Sequence, residues 1–319
     1  GSSEGELDTT DGVILVASTV NSQGAVEIDG NGGQAKKVDG SGGVSLLLDT
    51  SILTTKDLKI TGVGGESITS ADTSSGIWVI EADLTASSIE MDGTGGKAEK
   101  SNPNSTFLMG IYLNEANIST TPESNNTGNI LIKGNGGVGY QNLAGVNILN
   151  SSIKTNKDIV IEGTAGTGEK VEFANGVVLE HQPETWGGEY DNNGDLIFVS
   201  GSPTIVEANN LIIAGNGGQA EISATQSMGI SLWETNLILA GSIKLQGNGG
   251  TGSNITSIEK PELNNGVSLA MNNIKTGGDF TIEGTAGTGG DFVIGYLGDM
   301  NTYDINGNVF VTGKGGQGP

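Results

Sequence analysis

Gly145-Val146-Asn147-Ile148-Leu149-Asn150-Ser151-Ser152-Ile153-Lys154-Thr155-Asn156-Lys157-Asp158-Ile159-Val160-Ile161-Glu162-Gly163 carries, in 19 residues, the pattern that decides the fold of this chain of 319 residues. Ile159 and Ile161 stand four and two places before Gly163. Side chains alternate sides along a strand, so this spacing is one buried face of a strand; we name it C. Ile153, ten places before the same glycine, marks a second short strand, B. The step Gly145-Val146 opens a third, A.

Working outward, the glycine at the end of C begins a Gly-x-Gly/Ala-Gly corner that recurs nine times, at Gly30, Gly62, Gly93, Gly134, Gly163, Gly215, Gly247, Gly284 and Gly313. Every copy has apolar residues at the same two places before it, from Val26/Ile28 through Ile130/Ile132 and Leu211/Ile213 to Val309/Val311. The B position is aliphatic at Val20, Ile52, Ile153, Ile205, Leu237 and Ile274, with Tyr303 in the last copy. The residue opening B is polar at Thr19, Ser51, Asp83, Asn117, Ser152, Asn236 and Asn273, which suits a bent backbone. A Gly-Val or Gly-Ile step opens A at Gly12, Gly43, Gly76, Gly110, Gly145, Gly176, Gly229 and Gly266.

A unit of three short strands cannot bury an apolar face alone, so units must stack. Propeller blades want four antiparallel strands with hairpin turns. The fold expected is therefore all-β: a right-handed parallel β-helix of about nine three-stranded coils with glycine corners, forming one domain over 1–319. Nine coils at about 4.8 Å make a rod of about 43 Å. The outward positions of C support parallel stacking. Three places before the corner, successive copies carry Glu27, Lys59 and Glu90, and one place before it Asp92, Lys133 and Glu162 follow each other. Opposite charges stacked in neighbouring strands attract.

Composition narrows function. The formal charge is −23, and all 14 basic residues are lysine, which disfavours a nucleic-acid partner. There is no cysteine, hence no disulfide or Cys-type zinc site. No apolar run approaches 18 residues, so direct membrane insertion is not expected. Both ends fall inside the repeat pattern, as in a piece of a longer chain.

Gly-Val/Ile-x-Leu, then Asn/Ser-Ile-x-Thr, then Asp-Ile-x-Ile-x-Gly, as in Gly145–Gly163, resembles the repeats of filamentous-haemagglutinin-like proteins. The inserted Gly-x-Gly-Gly corner looks like the large surface repeat proteins of cyanobacteria and related bacteria. The resemblance implies export to the bacterial surface or extracellular space and an adhesive or matrix role. It supplies no catalytic residues.

One unit is irregular. Between A at Val177–Leu179 and B at Ile205 about 20 extra residues intervene, an expected loop excursion over 180–203 holding His181, Glu184, Trp186, Tyr190, Asp191 and Asp195. Trp186 and Tyr190 beside Glu184 are candidates for stacking on a sugar ring; the plainer reading is that Trp186 anchors the excursion. Asp191 and Asp195 are candidate ligands for loosely bound calcium, without the acidic series of a calcium loop. Glycine corners bind anions only ahead of a helix, and none is expected here. Finally, Leu131, Val160 and Ile212 occupy one outward column of C in three successive units. Such an apolar stripe reads as covered surface, under one of the long excursions (Leu143 to the Gly176 loop, or residues 181–203) or under a partner.

The leading expectation is a non-enzymatic structural or adhesive rod, secreted or on the cell surface. Its partners would be a surface glycan, a protein receptor or further copies in a filament. A carbohydrate-binding module is the alternative, and a polysaccharide hydrolase the third reading.

Overall fold

The computed structural model describes residues 7–71, 73–99, 106–121, 128–182, 184–190, 196–199, 202–252 and 263–318. These residues contain strands and turns and no helix. The nine C strands form one parallel sheet in which each pairs with the C strands of the preceding and following units. Its register follows the repeat: Ile132 is opposite Ile161 and Ile161 opposite Ile213, with Gly134, Gly163 and Gly215 also aligned. Both apolar positions of C face inward, and Ile132, Ile161 and Ile213 are fully buried in one core cluster.

The A and B strands stack likewise and join into a 16-stranded sheet, because A runs directly into B over Val44–Thr54 and Ile77–Ala86. A ninth A strand, Tyr296–Asp299, follows Gly295, a Gly-Tyr step that the aliphatic pattern passes over. In most units the residue that follows A turns the chain with a positive φ: Glu81 at 50°, Glu115 at 52°, Asn150 at 47° and Glu234 at 51°. The left-handed region is unfavourable for non-glycine residues, but one such residue makes the sharp change of direction between A and B. The polar column opening B hydrogen-bonds along the stack, with Asn117 Nδ2 donating to Asp83 Oδ1 at 2.9 Å.

The glycine corner folds the chain back onto the start of its own unit. The N–H of Gly137 donates to the Leu108 carbonyl at 2.6 Å, and Gly166 to Leu143 at 2.7 Å; the same bond recurs from Gly65 to Ser41 and from Gly250 to Ser227. Gly134 also lies against Gly145, so that a Cβ on Gly134 would fall 2.0 Å from the Gly145 carbonyl oxygen. Beyond this contact a second, smaller core holds Leu108, Leu143, Val171, Ala174, Ala220 and Ala224.

Three strands per unit is therefore an undercount. A fourth ladder follows the corner, as strands at Leu7–Thr9, Gln34–Gly40 and Glu66–Ala71 and again at Thr167–Phe173 and Gln219–Gln226. Single bridges continue it through Lys97, Val138, Thr251, Thr288 and Gln317. The B position is also corrected in the sixth unit. Val206, not Ile205, pairs with Ile153 and is fully buried, while Ile205 stands in the polar column between Ser152 and Asn236. Ten places back from the corner is one too many there, and equally in the third unit, where Leu84 fills the core position beside Asp83.

Candidate binding surfaces

The excursion leaves at the A–B corner of the sixth unit, the place where other units turn on a positive-φ residue. It is not wholly a loop. Glu184–Tyr190 and Leu196–Val199 pair antiparallel, with Tyr190 opposite Leu196, the one antiparallel pairing among the described residues. Glu184, Trp186 and Tyr190 lie on the first of these strands, and their side chains lie outside what the structure describes. Asp191 and Asp195 lie outside the described residues altogether.

At the root of the excursion the structure assembles a group that sequence reading missed, apart from His181. Val177 and Leu179 point into the core, so Val178 and Glu180 face outward; Ile230 and Leu232 do the same for Ser231 and Trp233. Register then sets Glu180 directly beside Trp233, a residue 47% exposed. The His181 N–H donates to the Trp233 carbonyl at 3.1 Å. Gln182 donates from its amide nitrogen to Asn150 Oδ1 and from Nε2 to Glu180 Oε1, both at 2.9 Å. Burial pushes the Glu180 carboxyl above its usual range, and the Gln182 bond partly opposes this.

The same outer face continues to the preceding units as Tyr112 and Asn147. The Tyr112 hydroxyl is pushed up to about 12, by burial first and then by the negative charges of Glu180 and Glu115. Tyr112 stacks on Trp78 with ring centroids 4.3 Å apart at 27°, and Phe107 meets Trp78 edge-on at 6.2 Å. Stacked along the ladder, Trp78 and Tyr112 use their facing surfaces on each other, so this pair is packing. Trp233 has no ring neighbour among the described residues, which leaves its indole for another contact. Two buried atoms on this face, Asn147 Oδ1 and His181 Nδ1, have no hydrogen-bond partner among the described residues. The signal present in the sequence was the pair of outward positions of A, which are aromatic at Trp78, Tyr112 and Trp233 among mixed aliphatic and polar residues.

The stripe on the C sheet is in register: Leu131 pairs with Val160 and Val160 with Ile212. The expectation that the excursion at 181–203 covers it is not met among the described residues. Ile212 is 39% exposed, and Leu131 and Val160 are half-buried. The excursion is rooted at the A–B corner, whereas the stripe lies in the separate C sheet. Ion pairs frame the stripe: Lys59 Nζ to Glu90 at 3.3 Å before it, Lys133 to Glu162 at 3.3 Å beside it, and Lys244 to Glu283 at 3.6 Å after it.

Compared with protein-family models, with curated proteins and with solved structures, the chain finds no match.

Proposed function

We propose that this chain is a right-handed parallel β-helix acting as a structural and adhesive rod of an exported bacterial surface or matrix protein. The carrying observation is the C sheet, nine strands paired in one register with every glycine corner aligned. Such a stack grows by identical steps and holds a surface at a fixed distance, which suits a spacer rather than an enclosed reaction site. The acidic composition supports solubility outside the cell. Electron microscopy of the negatively stained protein tests the shape: rods of about 43 Å are expected for nine coils at about 4.8 Å. Isotropic particles would remove the rod. Antibody labelling of intact against permeabilised cells tests export, and signal only after permeabilisation would refute it.

A carbohydrate-binding role is the second reading, favoured by exposed Trp233 in register with Glu180 at the root of the excursion. An indole face takes the C–H side of a sugar while the neighbouring polar groups take its hydroxyls. Titration with cellohexaose, laminarihexaose and chitohexaose tests it, with binding expected to be lost in Trp233→Ala. Absence of binding to all three, or full binding by Trp233→Ala, would exclude this reading.

A further inference from the structure

We propose that the outer face of the C sheet pairs two copies of this chain, turned end for end, through Leu131, Val160 and Ile212. The pairing rests on the observed register of the C strands and does not depend on the rod's proposed role.

The central outward column of C reads, in pairing order, Glu27, Lys59, Glu90, Leu131, Val160, Ile212, Lys244, Thr281 and Phe310. Val160 is its midpoint, with an acid two units before it and a base two units after. Two sheets meeting face to face about a two-fold axis can be arranged in two ways. With the axis along the stack, each unit faces its own counterpart. Glu90 then meets Glu90 and Lys244 meets Lys244, both like-charged. With the axis along the strands and passing by Val160, the order is reversed between copies. Val160 then meets Val160, Leu131 meets Ile212 and Glu90 meets Lys244, the last two twice each. The charge pattern therefore selects the reversed arrangement, as complementary charges fix register and orientation at interfaces.

Two outward columns flank this one. In the first, Asp158 meets its own counterpart at the axis, each carboxylate already accepting a hydrogen bond from Asn210 Nδ2 at 2.8 Å. The second is mixed. Lys133 faces Ala214 and Asp92 faces Gln246. Glu162 meets its own counterpart at the axis, but each copy brings Lys133, already 3.3 Å from that carboxylate. Three apolar side chains per copy make a small contact, and each copy carries a charge of −23, so the association is weak and dependent on concentration.

Sedimentation equilibrium of the chain in about 0.15 M NaCl tests the proposal, with charges screened beyond about 8 Å. The apparent mass is expected to rise toward twice the monomer mass with concentration. Val160→Lys should weaken association at least about tenfold by burying unpaired charge. Ile212→Glu, at the more exposed position, gives the same readout should Val160→Lys melt early. Glu90→Lys and Lys244→Glu should each weaken association, and the two combined in one chain should restore it. A constant monomer mass up to about 1 mM would overturn the pairing, since affinity at that level is only about −4 kcal/mol. Dimers untouched by Val160→Lys and Ile212→Glu would place the interface elsewhere. Failure of the charge exchange to restore association would overturn the end-for-end orientation.

Discussion

Gly134, at the corner of the fourth unit, and Gly145, which opens the fifth, touch backbone to backbone at the waist of the coil, where the large core under A, B and C gives way to the small core beyond the corner. A Cβ on Gly134 would lie 2.0 Å from the Gly145 carbonyl oxygen and 2.6 Å from its carbon, both backbone atoms held by ladders on either side. Gly134→Ala is therefore expected to cost at least about 3 kcal/mol, the upper end for overpacking. Gly24→Ala, whose Cβ finds only Ser22 Oγ at 3.9 Å, should change stability by less than about 0.5 kcal/mol. Denaturant melts of the two variants make the comparison. Equal midpoints would show that the waist can open.

The corrected register of the sixth unit yields a second expectation. Val206 is fully buried between Ile153 and Leu237, whereas Ile205 lies between Ser152 and Asn236. Val206→Ala should cost about 2 kcal/mol, with Ile161→Ala in the central C strand at about 2–5 kcal/mol. Ile205→Asn, which extends the polar column, should cost less than about 1 kcal/mol. Thermal melts in which Ile205→Asn is the more damaging change would return the core position to Ile205.

These two sites mark where the sequence was and was not legible. C was readable because two large apolar residues alternate at fixed distance from a glycine, and nothing else in a chain gives that spacing nine times. The fourth ladder has no such signature. Its core is lined largely by alanines such as Ala174, Ala220 and Ala224, and insertions of different length interrupt it. In the third and sixth units the segment from B to C is one residue shorter than in the fifth, which is enough to turn Ile205 out and Val206 in, since a one-residue slip exchanges the faces of a strand. The group around Glu180 was hidden because its members come from four units and meet only through register.

Glu81 turns the A–B corner of the third unit with φ at 50° and an exposed side chain. The left-handed conformation costs a non-glycine residue roughly 1–2 kcal/mol, and asparagine tolerates it better. Asn150 holds the equivalent corner in the fifth unit. Glu81→Asn should therefore stabilise the chain by up to about 1 kcal/mol, visible as a higher melting temperature. A lower melting temperature would show that the Glu81 side chain supports the corner in another way.

Glu180 offers an expectation in pH. Burial raises its carboxyl pKa in the folded chain above the unfolded value, so between the two values the folded state binds more protons than the unfolded state. The cost of its charge is absent below the ordinary carboxylate range and grows as pH rises through the folded value. Glu180→Gln removes that cost while retaining an oxygen to accept the bond from Gln182 Nε2. The difference in melting temperature between variant and wild type should therefore be small near pH 4, favour the variant as pH rises, and level off above the folded value. Taking the difference cancels the general effect of the acidic surface, which both proteins share. Wild type melting above the variant at pH 8 would mean that the ionised carboxylate is held by a favourable partner. Glu180 would then be a stabilised anion in the outer face of A, and Tyr112, whose hydroxyl is raised partly by that charge, should show a lower titration point in Glu180→Gln.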